Sequence, residues 1–234
     1  EKPYYPAYAY YPNRYPKATY AAMISYLDEI VGSLTQKLKD INQFDNTIIM
    51  FTSDNGVTSL DQVDSGFFNS SAMFSDDNDM VKGSLFEGGI RVPSFVTWPR
   101  EIKEGSFSNH ISSAQDFYAT ILDLFKIKKP NYITGLSFLP TLLGKKQNKH
   151  EYLYWETNSR QGQQVVRVDK WKAIRRNIAT GNKEIELFDL TLDPQEKNDV
   201  SKSNLDVISQ IEIIFKEART TPTLKNFYIK GLDF

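Results

Sequence analysis

Thr47 to Phe51 (TIIMF) is an unbroken apolar run with no polar alternation, the pattern of a strand covered on both faces, as in parallel sheets. It follows a helical pattern from Thr19, in which Met23, Leu27, Ile30, Leu34, Leu38 and Ile41 recur every three or four residues. One face of that helix is expected to pack on a core, so the two segments read as an αβ unit. Ahead of it, Pro6, Pro12 and Pro16 predict extended, surface-hugging chain from Tyr4 to Tyr20. A second buried run, Ser94 to Trp98 (SFVTW), lies beyond a polar loop from Val57 to Met80, longer than ordinary connections and expected to be functional or mobile. Ser112 to Phe125 is the next predicted helix, with Ser112 and Gln115 as a capping box and Phe117, Ile121, Leu124 and Phe125 as its apolar face. Two short strands are too few for a sheet covered on both faces, since sheets typically have about four to six. The remaining strands are expected from another chain or from sequence upstream of Glu1, and the lack of an initiator Met fits a processed product or a fragment.

After Gly135 and the polar run Lys145 to Lys149 the texture changes. Four short strands are predicted at Tyr152 to Glu156, Gln164 to Val168, Lys172 to Arg176 and Ile185 to Leu190, as an antiparallel meander. A last helix is predicted from Asn204 to Arg219, with Leu205, Ile208, Ile211 and Phe215 on one face. The expected organisation is therefore an α/β portion over residues 1–148 and a small α+β subdomain over 149–234.

The 28 basic and 29 acidic residues leave a net charge of −1, which gives no field for holding nucleic acid. No stretch approaches the ~18 consecutive apolar residues of a membrane span. Without cysteine there are no disulfides, thiolate metal sites or Cys nucleophiles, and His110 and His150 are the two histidines.

Chemistry concentrates in two places. Asp54 and Asn55 stand just past the carboxyl end of the first buried strand, where open α/β sheets place ligands. They offer a carboxylate and an amide oxygen, hard donors suited to Ca²⁺ or Mg²⁺, and Gly56 permits the sharp turn. The competing reading is an ordinary Asp-Asn-Gly turn, and Ca²⁺ wants about six to eight oxygens, more than two residues supply. The second place is Lys82-Gly83-Ser84-Leu85-Phe86-Glu87-Gly88-Gly89-Ile90-Arg91-Val92-Pro93, a glycine-rich loop that fits neither a Walker A nor a GxGxxG spacing. Lys82 offers a point charge to an anionic oxygen, while Glu87 and Arg91, four apart, are expected to pair as a brace. Asp76-Asp77-Asn78-Asp79 lacks the EF-hand pattern and reads as a solvated loop; Asn69-Ser70-Ser71 is a glycosylation sequon whose meaning depends on compartment. The Lys126 to Lys129 and Lys145 to Lys149 runs read as solvated loops ahead of grips for a sulfated glycan, a second reading that the nearby aromatics Tyr152, Tyr154 and Trp155 leave open.

Taken in order, Tyr26-Leu27-Asp28, Phe51-Thr52-Ser53-Asp54-Asn55-Gly56, Lys82-Gly83 with Glu87 to Pro93, and Trp98-Pro99 resemble the sulfatase family in identity and spacing. Asp116 to Thr120, Gly135 to Pro140, Tyr154-Trp155-Glu156, Trp171-Lys172, Leu187 to Leu190 and Asp193-Pro194-Gln195-Glu196 continue the likeness over nearly the whole chain. The resemblance implies an alkaline-phosphatase-like α/β sandwich, of which this chain is the C-terminal part, plus a small antiparallel sheet with one packed helix.

It further implies hydrolysis of sulfate esters with one divalent cation, usually Ca²⁺, and a formylglycine nucleophile made from Cys or Ser in a C/S-x-P-x-R motif. The nearest string here, Tyr10-Tyr11-Pro12-Asn13-Arg14, puts Tyr at that position, so the formylglycine is expected upstream and the 234 residues alone are expected to be inactive. By motif matching, Asp54 and Asn55 are the implied metal ligands, and Lys82 is the implied catalytic lysine that contacts the sulfate. The implied partners are a sulfated small molecule or glycan and the N-terminal portion of the same protein, in a secreted or periplasmic setting. Self-association through uncovered strand edges and apolar faces is also expected. The alternatives are a phosphoester or phosphonate hydrolase of the same superfamily, and a noncatalytic glycan-binding or assembly module.

Overall fold

A computed structural model describes residues 13–58, 66–75, 77 and 79–233. The described helices are α1 (Pro16–Asp40), α2 (Glu87–Ile90), α3 (Gln115–Leu124), α4 (Leu139–Leu142) and α5 (Leu205–Glu217). The strands are β1 (Ile49–Thr52), β2 (Ser94–Thr97), β3 (Leu153–Thr157), β4 (Gln163–Val168), β5 (Trp171–Arg175) and β6 (Glu186–Asp189). They divide between two compact units, Glu1–Thr52 with Pro93–His150, and Ser53–Val92 with Glu151–Phe234. Most of the predicted extended segment, up to Pro12, lies outside the described residues.

In the first unit Pro16 opens α1 instead of belonging to an extended stretch, because the ring's fixed φ suits the first helical position. The Asn13 Oδ1 accepts the Tyr15 N–H at 2.8 Å and the Thr19 hydroxyl at 3.2 Å just ahead of the first turn. The stripe predicted to face a core is present but uncovered: no residue of α1 is buried, and Met23 and Leu34 are each 62% exposed. Among the described residues no layer lies over it.

β1 and β2 also depart from expectation. They pair with each other antiparallel, Ile49 opposite Thr97 and Thr52 opposite Ser94, and are not covered strands of a parallel sheet. An unbroken apolar run specifies burial on two faces without specifying strand direction. The register here is set by Phe51 opposite Phe95, with ring centroids 6.4 Å apart, and by the Thr52 hydroxyl donating to Pro93 O at 3.0 Å. With this much apolar surface open, the isolated 234-residue chain is expected to self-associate at micromolar concentration in size-exclusion chromatography with light scattering. A sharp monomer peak with cooperative unfolding would contradict that.

α3 begins at Gln115, and the predicted Ser112–Gln115 box is not made. Asp116 reaches back instead, accepting the Ser113 N–H at 2.8 Å through Oδ2. Its Oδ1 takes the Leu136 N–H at 2.7 Å and lies 2.9 Å from His150 Nε2. This fully buried carboxylate draws Ala119, Thr120 and Leu122 inward, so Ile121 and Phe125, expected on the core face, are exposed. Phe117 does pack edge-on against Phe138 at 5.3 Å.

The second unit contains the predicted meander, in the order β3-β4-β5-β6 with every neighbour antiparallel. Strand alternation sorts its core into two layers. Val166, Ala173 and Leu187 face α5, which contributes Ile211 and Phe215. Val165, Ile174 and Phe188 face the other way, onto Leu85 and Phe86. Sequence reading anticipated the helix layer. The other face is covered by the glycine-rich segment, which is thereby fixed to a rigid sheet.

Candidate functional site

Asp54 and Asn55 occupy a bend two residues past β1, and Asp54 is exposed. The Ser53 hydroxyl donates to Asn55 O at 3.0 Å, and the Asn55 amide donates to Gly56 O at 3.1 Å, leaving its Oδ1 as acceptor. A backbone knot ties this bend to the glycine-rich segment: the Gly56 N–H donates to Gly89 O at 2.9 Å, and the Lys82 N–H donates to Val57 O at 2.9 Å. Any side chain at position 56 would collide with that segment, its Cβ falling 1.8 Å from Gly88 O. Lys82 itself sits at the tip of a turn closed by the Ser84 N–H on Val81 O at 2.9 Å, in which Gly83 takes φ +87°. That left-handed conformation at the third position is the one glycine supplies without steric cost. The structure therefore brings together the three residues singled out in the sequence, on one stretch of interlocked backbone.

The donor set fits part of a divalent-cation shell. Asp54 makes no hydrogen bond or ion pair with a described residue, so a carboxylate and an amide oxygen on adjacent positions are available to a hard cation. Among the described residues no group of three or more acidic, His or Cys side chains completes a shell.

Beneath Lys82 the sheet grips the segment at several points. Gln163 Oε1, at the start of β4, accepts the buried Leu85 N–H at 3.1 Å. Arg160, in the β3–β4 loop, donates from Nε to Gly83 O at 3.1 Å and from Nη1 to Asp79 Oδ1 at 2.7 Å. The deepest grip is on Glu87. Its Oε1 lies 2.9 Å from Nζ of Lys172, a fully buried lysine on β5, and its Oε2 takes Arg167 and Arg91 at 3.2 Å each. Glu196 Oε2 accepts the Glu87 N–H at 2.5 Å, and its Oε1 is 3.0 Å from Lys172 Nζ, close enough for an ion pair but outside hydrogen-bonding geometry. Burial alone would raise the Glu87 carboxyl, but Lys172, Arg167 and Arg91 outweigh it and hold it below its ordinary value. For Glu196 burial prevails over Lys172, and its carboxyl is raised.

The Glu87–Arg91 brace was legible as a spacing. Lys172, Arg167, Glu196, Arg160 and Gln163 were not, although Trp171-Lys172 and Asp193 to Glu196 stood out as motifs without a role. His150 proves to be the partner of Asp116, a structural contact within the first unit. Burial lowers the pKa of His110, and its Nε2 has no hydrogen-bond partner among the described residues.

Two family models match the chain: the sulfatase model over residues 1–127, and the model described as N-sulphoglucosamine sulphohydrolase, C-terminal, over 79–220. Human N-acetylgalactosamine-6-sulfatase is 32% identical over 129 residues, covering 54% of this chain and 24% of that protein. The N-acetylgalactosamine-6-O-sulfatase of Bacteroides thetaiotaomicron is 29% identical over 217 residues, covering 85% of this chain and 41% of that protein. Among solved structures, Ps i-CgsB in complex with k-i-k-neocarrahexaose superposes with a TM-score of 0.71 at 30% identity, over 86% of this chain and 42% of that one. The chain thus spans less than half the length of each of these proteins, and it shares their alkaline-phosphatase-like α/β fold.

Proposed function

Because the chain belongs to the sulfatase family, we propose that it forms part of a sulfuric ester hydrolase in which Asp54 and Asn55 hold a divalent cation and Lys82 contacts the sulfate. The observation that carries this reading is the backbone knot, Gly56 to Gly89 and Val57 to Lys82, which puts two hard oxygen donors and an exposed ammonium on one rigid support. Ca²⁺ is the cation of first choice, since its flexible shell accepts a carboxylate beside an amide oxygen, and Mg²⁺ is the alternative. When bound, the cation supplies Lewis-acid polarisation of the sulfuryl oxygens.

Lys82 has the form its role requires. Sulfuryl transfer concentrates negative charge on the non-bridging and leaving oxygens, and a fixed ammonium beside them lowers the barrier electrostatically. The turn tip presents that charge without a competing carboxylate among the described residues. The nucleophile in this proposal is a formylglycine from sequence outside the 234 residues, which contain no C/S-x-P-x-R string. The isolated chain is accordingly inactive and acts together with the N-terminal portion of the same protein.

A sulfated carbohydrate is the proposed substrate class, supported by relatives named for sulfated N-acetylhexosamines. The proposed setting is secreted or periplasmic; no helix among the described residues is long and apolar enough to cross a membrane. The test is turnover by the full-length protein of a 6-O-sulfated N-acetylhexosamine and of the matching phosphate. Sulfate release that EDTA abolishes and Ca²⁺ restores is expected. Metal-independent turnover would remove the cation from the proposal, and preference for the phosphate would replace the sulfatase reading.

A further inference from the structure

The β3–β4 loop is built to aim one side chain at the Lys82 turn. Arg160, Gln161 and Gly162 are three consecutive residues with positive φ, at 51°, 65° and 82°. Left-handed backbone is sterically costly for a non-glycine residue, and such strain collects where structure serves function. What it achieves among the described residues is a clasp that includes two points on the Lys82 segment. The Arg160 guanidinium bonds Gly83 O at 3.1 Å and Asp79 Oδ1 at 2.7 Å, spanning the chain on either side of Lys82. Three residues on, Gln163 holds the Leu85 N–H at 3.1 Å. The Lys82 backbone N–H is fixed to Val57, so the peptide that decides where the lysine stem emerges is held at 82, 83 and 85.

We propose that Arg160 is a positioning residue for Lys82, locking the turn so that the base of the lysine stem is fixed before substrate arrives. This rests on the reading of Lys82 as the sulfate-contacting lysine. The argument is chemical as well as geometric. Gly83, in the left-handed region, gives the turn no side chain of its own to restrain it, and a carbonyl at a turn tip is otherwise free to rotate with its peptide. A planar guanidinium donates to two acceptors in a fixed fork, whereas an ammonium on a flexible stem does not hold both in one geometry. Asp79 is 81% exposed in its side chain, so the pair adds little to global stability and its effect falls on local placement.

The experiment uses the full-length protein and a sulfated N-acetylhexosamine. Arg160→Ala is expected to lower kcat about tenfold, within the ~10²-fold that a misplacement of about 1 Å can cost, with KM little changed and Tm preserved. Arg160→Lys, which keeps the charge, should fail to rescue, and Asp79→Asn should give a smaller loss by a route that leaves the sheet intact. The deciding measurement is the double variant: in a Lys82→Ala background, Arg160→Ala should add no further loss, because it acts through the lysine. Unchanged kcat in Arg160→Ala, full rescue by Arg160→Lys, or the same tenfold loss without Lys82 would overturn the proposal. Full activity in Lys82→Ala alone would instead defeat the reading of Lys82 on which it rests.

Discussion

Replacing Lys82 by alanine in the full-length protein should reduce kcat/KM for the sulfate ester by about 10²–10³-fold, the loss typical of removing one preorganised group that stabilises transition-state charge. The same substitution should leave thermal stability untouched. Lys82 is exposed, its side chain makes no hydrogen bond or ion pair with a described residue, and its backbone N–H is bonded to Val57 O. That separation makes the variant informative, because a loss of activity cannot be assigned to unfolding. Lys82→Arg should recover little, since a planar fork differs from a point charge in where it places its donors. Steady-state kinetics with melting curves on the three proteins decide the matter. A change confined to KM would make Lys82 a binding group only, and no change would detach the turn from catalysis altogether.

How far the sequence reveals this arrangement depends on the range over which each residue acts. The meander and α5 are legible because period-two and period-3.6 patterns are local, and strands such as Gln163–Val168 fall within one or two residues of prediction. The direction in which β1 pairs is not local, so TIIMF gave the strand and misled on its partner. Asp116 shows a different limit. A buried carboxylate with Ser113, Leu136 and His150 as partners turns α3 to suit itself, overriding the apolar face that Ile121 and Phe125 suggest. At the candidate site, Asp54, Asn55 and Lys82 are recognisable by motif, but what fixes the glycine-rich segment to the sheet comes from residues 78 and 109 positions away, as Gln163 to Leu85 and Glu196 to Glu87 illustrate. No periodicity records such pairings, and motif positions like Lys172 acquire a meaning only when Glu87 is found opposite.

The buried lysine is where the largest stability effect is expected. Lys172→Met in the full-length protein should cost about 3–5 kcal/mol in urea unfolding, since it strands Glu87 and Glu196 in a buried site with one cation fewer. The cost should shrink when Glu87→Gln and Glu196→Gln accompany it, because neutral groups of similar size remove the uncompensated charge. The pH dependence carries a sharper signature. Glu87 has its folded pKa below 4.5, so its contribution is present above that value and is lost as pH falls through the folded pKa. Glu196 is raised above 4.5, so its contribution is present below that value and is lost as pH rises through the folded pKa. Glu196→Gln retains an acceptor for the Glu87 N–H and should abolish the decline on the alkaline side of 4.5 while leaving the acid-side loss in place. A midpoint shift under about 1 kcal/mol for Lys172→Met, comparable to an exposed ion pair, would mean that the cluster does not brace the Lys82 segment. The sheet would then support the candidate site through Leu85 and Phe86 packing and the Gln163 and Arg160 hydrogen bonds.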